Sequence, residues 1–125
     1  HSRRILLVLD NCEHVLGGVD QVVRVTLRDA GDASASCLLT TSREPIGIDG
    51  ETIWTLEPLA LPDPDGSVAA AAVAPAVDLF LQRLTAVAPA LDLTDEVLTR
   101  AREISVAVDG LPLPLELAAA RALSG

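Results

Sequence analysis

Ile5 to Leu9 is an unbroken aliphatic run that ends on Asp10, and nothing else in the chain restricts its fold as much. A run of branched side chains without polar alternation reads as a strand buried on both faces, the environment of a parallel sheet. Its closing carboxylate then sits at the carboxyl end of the strand, where open α/β sheets hold their ligands. Downstream, Val15, Leu16, Val19, Val22, Val23 and Leu27 recur at helical spacing, with Asp20, Arg24 and Arg28 on the remaining face and Gly31 as a stop. Cys37 to Thr41 supplies a second strand, followed at once by Ser42, Arg43, Glu44 and a breaking Pro45. The order strand, helix, strand predicts a βαβ unit, and Thr52 to Leu56 reads as a short third strand that ends the sheet.

Pro62, Asp63, Pro64, Asp65 and Gly66 then form a cluster of turn residues that neither a strand nor a helix continues through. The expected organisation is an α/β half over residues 1–61, a linker over 62–74 that is at most weakly helical, and a helical subdomain over 75–125. Pro75 suits a first helical position, and Val77, Phe80, Leu81, Leu84 and Val87 form an apolar stripe closed by Pro89. Thr94 can cap the next helix, with Asp95 and Glu96 in its first turn and Val97, Leu98, Ala101, Ile104 and Val108 as the buried face. Gly110 ends that helix, and a last one runs from about Pro112 to Leu123 along Leu113, Leu117 and Ala120.

Composition removes several classes of function. The net charge is -9 and the nine basic residues are all Arg, so no face is suited to neutralising a row of nucleic-acid phosphates, and direct nucleic-acid contact is not expected. Cys12 and Cys37 lie too far apart for a CxxC pair and read as buried free thiols, while His14 stands alone. The longest apolar stretch, Val68 to Pro75, falls far short of the roughly 20 residues that span a bilayer, so the expectation is a cytoplasmic protein with no membrane partner. Trp54 and Phe80 are the only aromatic residues, which leaves the core to small aliphatic side chains.

Three stretches carry candidate chemistry. The first is the apolar strand that delivers Asp10, the way a P-loop NTPase presents its magnesium-binding acid; the plain alternative is a strand-end aspartate that caps the next helix, a task Asn11 also suits. The second is Thr40-Thr41-Ser42-Arg43, which aims a guanidinium from the neighbouring strand end at the same crevice, against the alternative of an Arg paired with Glu44 or another surface carboxylate. An Asp and an Arg at adjacent strand ends favour a ligand over either alternative alone. The third, Gly110 to Ala120, is as pattern only a helix-to-helix corner, with Gly as left-handed cap and Pro112 at the fixed first position.

Taken in order, Leu6 to His14 (LLVLDNCEH), Thr40 to Glu44 (TTSRE) and Gly110 to Arg121 (GLPLPLELAAAR), with Trp54 to Leu59 between the last two, resemble the NB-ARC branch of the STAND P-loop NTPases. The resemblance is closest to the NB-ARC-like module of bacterial transcriptional regulators of the LuxR and antibiotic-regulatory type, and it spans nearly the whole chain. It implies an α/β fold, a partial parallel P-loop NTPase sheet followed by a small helical, ARC1-like subdomain. By the same resemblance Asp10 would bind Mg²⁺ through water, Asn11 would lie beside the nucleotide, Arg43 would sense the γ-phosphate, and Pro112 would line the pocket from the helical side. Many P-loop ATPases carry a second acid directly after the first; here Asn11 takes that position, and under the resemblance Glu13 would be the substitute.

The phosphate loop G-x-x-x-x-G-K-[ST] does not occur, and with no Lys it cannot. The implied whole is an ATP/ADP- and Mg-dependent signalling switch in a longer parent, which either cleaves ATP slowly or only exchanges it; this segment alone is expected not to be an enzyme and to bind neither nucleotide tightly. Its expected partner is the rest of the parent ATPase domain, and its unpaired strand edge invites self-association. The competing expectation is a non-hydrolysing scaffold on the same fold. A phosphoacceptor receiver domain also has an Asp at one strand end and a Thr at the next, but it needs an earlier acidic pair and a Lys that this chain lacks.

Overall fold

A computed structural model describes residues 6–28 and 37–122, with side chains at all of these positions except 16, 20 and 26–28. The chain divides into two compact units, residues 1–55 and 56–125. The division falls before the expected boundary at 61, and the stretch expected as linker belongs with the helices.

In the first unit, β1 (Leu6–Leu9) and β2 (Cys37–Thr40) pair in parallel, with Leu6 opposite Cys37 and Leu9 opposite Thr40. A 3-10 turn over Cys12–His14 and helix α1 (Leu16–Arg28) lie between them in sequence, so the expected βαβ order is present. Ile5 and Gly31, read as the start of the strand and the stop of the helix, lie outside the described residues. Val19 and Val23 of α1 are buried with Cys12 and are backed by Leu9, Leu38, Ile46 and Ile48. Positions four apart on a helix share one row, and Val19 and Val23 fill the row that meets the sheet; Val22 lies off that row and Val15 precedes the first turn of α1, so both, read as part of the buried stripe, are exposed.

Burial of β1 on both faces does not hold. Successive side chains of a strand point to opposite faces, and α1 covers only the face of Leu9 and Leu38; Leu6 and Val8 on the other face are 64% and 52% exposed. The expected third strand, Thr52 to Leu56, is also absent. This stretch has no ladder partner, Trp54 is 84% exposed, and the sheet among the described residues has two strands. Alternating β-formers make a strand only where a neighbouring backbone receives their hydrogen bonds. Both cysteines are free, but only Cys12 is buried; Cys37 is exposed, contrary to the expectation for it.

The second unit contains α2 (Val68–Ala72), α3 (Pro75–Val87), α4 (Asp95–Ala107) and α5 (Pro112–Arg121). Ser67 caps α2 by accepting from Ala70 N at 3.2 Å, and Thr94 caps α4 by accepting from Val97 N at 3.4 Å. Pro75 and Pro112 occupy the first turns of α3 and α5, where a missing N–H costs nothing. Ala76, Val77, Phe80, Leu81 and Leu84 of α3 form one core with Ala101 of α4 and with Leu115 and Ala119 of α5. The stripe expected on α5 is not the buried one. Leu113, Leu117 and Ala120 are exposed while Leu115 and Ala119 are fully buried, because a helix with apolar side chains nearly all round leaves the choice of face to its neighbours.

Two devices fix the corners of this unit. Gly110 is buried at φ 66, its carbonyl accepts from Leu59 N at 3.0 Å, and a Cβ there would overlap the Leu59 carbonyl. Arg102 of α4 donates to the carbonyls of Asp63 (3.1 Å), Gly66 (3.4 Å) and Pro64, so the cluster of turn residues is held by one guanidinium. No helix among the described residues is long and apolar enough to cross a membrane.

Candidate functional site

Asp10, Asn11, Glu13 and Arg43 come together at the carboxyl ends of β1 and β2. The ladder continues one step past the strands, with Thr41 N donating to Leu9 O and Cys12 N to Thr41 O, each at 2.9 Å. Asp10 therefore leaves β1 at a fixed height, exposed to solvent, and one of its carboxylate oxygens accepts the Thr41 hydroxyl. Asn11 turns the chain in the left-handed region, at φ 61 and ψ 49, a conformation that Asn tolerates better than most residues. Its side chain makes no cap to the 3-10 turn. With the amide nitrogen facing Glu13, it donates to both carboxylate oxygens, at 2.7 and 3.2 Å.

Arg43 reaches across from the end of β2. Its Nε lies 3.4 Å from Glu13 Oε1, with the Arg side chain 88% exposed and that of Glu13 only 13%. The partner of Arg43 is thus Glu13, not Glu44, and the Glu13 carboxylate is held between the Arg43 guanidinium and the Asn11 amide. Such a pair, with one end in solvent, contributes at most about 1 kcal/mol and gives way easily to a stronger anion. Pro112 belongs to the other unit, in the first turn of α5 beside the Gly110 corner.

Two residues of this unit escaped the sequence reading. Thr41 was visible only as part of a strand end, and its contact with Asp10 spans 31 positions. Glu51 accepts from Ile46 N at 2.9 Å and from Gly47 N at 2.8 Å, and these backbone donors hold its pKa below the ordinary 4.5. The signal for it was local: a carboxylate just after Gly47 and Gly50, both at positive φ, closing the loop that brings Ile46 and Ile48 to the core.

Among the described residues no three His, Cys, Asp or Glu side chains gather into a metal cage. Asp10 alone fits Mg²⁺ in the mode where one protein carboxylate is enough, because that ion keeps most of its waters and takes phosphate oxygens for the rest.

No protein-family model and no solved structure matches the chain. Among curated proteins, it is 36% identical over 123 residues to a protein of Mycobacterium tuberculosis named "Putative HTH-type transcriptional regulator", covering 98% of this chain and 12% of that relative. A Mycobacterium bovis protein of the same name matches to the same extent. An "Uncharacterized protein" of Mycobacterium tuberculosis is 36% identical over 121 residues, covering 97% of this chain and 27% of the relative. The chain is therefore homologous over nearly all of its length to one segment of proteins named as transcriptional regulators, and it spans only 12% of the length of the first of them.

Proposed function

We propose that this chain is a segment of a nucleotide-dependent switch in a transcriptional regulator, of the NB-ARC, STAND P-loop NTPase kind. The observation that carries the reading is the convergence of Asp10, Asn11, Glu13 and Arg43 at the ends of two adjacent parallel strands, where such sheets bind ligands. In it, Asp10 holds Mg²⁺ through water, Arg43 exchanges the Glu13 carboxylate for the terminal phosphate and Asn11 lies beside the nucleotide. The switch works by differential affinity: a nucleotide at a hundred times its dissociation constant stabilises the arrangement that binds it by about 2.7 kcal/mol. The phosphate loop belongs to the parent protein, as does the partner of the open sheet face of Leu6, Val8 and Leu39. On its own the segment self-associates through that surface; a monomer in light scattering across a dilution series would count against this.

Calorimetric titration of Mg-ADP and Mg-ATP, into this chain and into a form extended upstream through the phosphate loop, tests the reading. Binding by the extended form alone is expected. Binding by neither would transfer the fold to the second reading, a non-hydrolysing scaffold, which the Asn11 substitution and the tethering of Glu13 to Arg43 favour. Tight binding by the short chain would mean that its ligand site lies elsewhere.

A further inference from the structure

We propose that Thr41 is the positioning residue for the Asp10 carboxylate, fixing the orientation in which that acid meets the water shell of a nucleotide-bound divalent cation; this rests on the switch reading above. A hydroxyl has one proton to give and lone pairs to receive with. The Thr41 hydroxyl uses both capacities across the strand ends: it donates to Asp10 Oδ1, and it accepts from the backbone N–H of Asn11 at 2.9 Å. The main chain of Thr41 is tied to the same turn, through Thr41 N to Leu9 O and Cys12 N to Thr41 O. Thr41 is therefore held in register with the residue it orients, and it orients both the acid and the left-handed turn that follows. Asp10 is otherwise exposed, and a free surface carboxylate would spread over several rotamers. With Oδ1 engaged, Oδ2 is left in a defined direction for metal-bound water. Groups that orient a metal-binding side chain typically alter metal affinity by about 10- to 100-fold.

The test uses Mn²⁺ as a paramagnetic stand-in for Mg²⁺ in the full-length protein that carries this segment, titrated with ADP in the presence and absence of metal. Thr41→Val keeps the branched shape and removes the hydroxyl; Thr41→Ser keeps the hydroxyl. The expected result is about a 10-fold or greater loss of Mn-ADP affinity and a changed bound-Mn²⁺ electron paramagnetic resonance spectrum in Thr41→Val. Metal-free ADP binding should be unchanged in that variant, and Thr41→Ser should be close to wild type. Equal losses with and without metal in Thr41→Val would reveal a purely structural role and overturn the proposal. So would wild-type Mn-ADP affinity in Thr41→Val alongside a loss in Asp10→Asn, a result that leaves the switch reading standing. If Asp10→Asn itself binds Mn-ADP normally, the metal role of Asp10 is refuted and the role of Thr41 with it.

Discussion

In the helical unit, side chains from α3, α4 and α5 close over one another, and Phe80, Leu81, Leu84 and Leu115 are buried together. In the α/β unit, the buried side chains among the described residues are Cys12, Val19 and Val23, while Leu6, Val8 and Leu39 lie open on the far face of the sheet. The contrast shows what each kind of element needs. A helical stripe can be covered by helices adjacent in sequence, whereas a sheet has two faces and two edges, and one crossover helix covers a single face. An aliphatic side chain left in water forgoes about 1.5–3 kcal/mol of burial, so the α/β unit is the one that gains most from further partners.

Phe80→Ala should be the most damaging of the single changes, destabilising the helical unit by about 3–5 kcal/mol in urea unfolding followed at 222 nm. Val23→Ala, which removes two methyl groups from the smaller core, should cost about 1.5–2 kcal/mol in the same assay. If the two came out in reverse order, the contrast between the cores would be broken.

A pair of glycines, with costs below that of Phe80→Ala and on either side of that of Val23→Ala, makes the same comparison for the backbone. Gly110→Ala combines a positive φ with overlap on the Leu59 carbonyl and should cost about 2–3 kcal/mol. Gly50→Ala in the α/β unit has a similar φ but open space around it, so only the backbone term remains, about 1–2 kcal/mol. Equal costs at the two sites would mean that the close approach of Leu59 to Gly110 contributes little.

The smallest effect is an acid one. Glu51 has a folded pKa below its ordinary 4.5, so its ionised form favours the folded loop. That contribution is complete above the ordinary value and fades as the pH falls from 4.5 through the lower folded pKa. Protection of the Ile46 and Gly47 amides, taken as exchange relative to the intrinsic rate at each pH, should fall over that acid window and not in Glu51→Gln, where nothing titrates. An identical pH profile in the two proteins would rule Glu51 out as the lock of this loop.

How far the sequence could be read follows the same division. The helices α3 and α4 were legible because their ends carry their own chemistry, Pro75 in one and Thr94 with Asp95 and Glu96 in the other, and because polar residues interrupt their stripes. Helix α5 was legible in extent but not in facing, since Leu113, Leu115 and Leu117 offer no polar contrast. The pairing of β1 with β2 followed from the aliphatic runs, but what covers a strand is not written in the strand, so the exposure of Leu6 and Val8 and the unpaired stretch after Gly50 could not be read from it. At the candidate site, Asp10 and Arg43 stood out because strand ends are where open α/β sheets hold their ligands. The Arg43 partner could not be singled out, because any nearby carboxylate satisfies a guanidinium and only the turn at Asn11 brings Glu13 to it.

The hydrogen bond from Leu59 to Gly110 also has a mechanical meaning. Together with the bond from Ala76 N to Ala60 O at 3.2 Å, it clamps the chain to the helical unit almost as soon as the chain enters it. Pro58, directly ahead of the clamp, fixes one φ of the segment that enters the helical unit. Leu59 and Ala60 thus act as a bracket across the helical unit, tied on one side to the corner that precedes α5 and on the other to the first turn of α3.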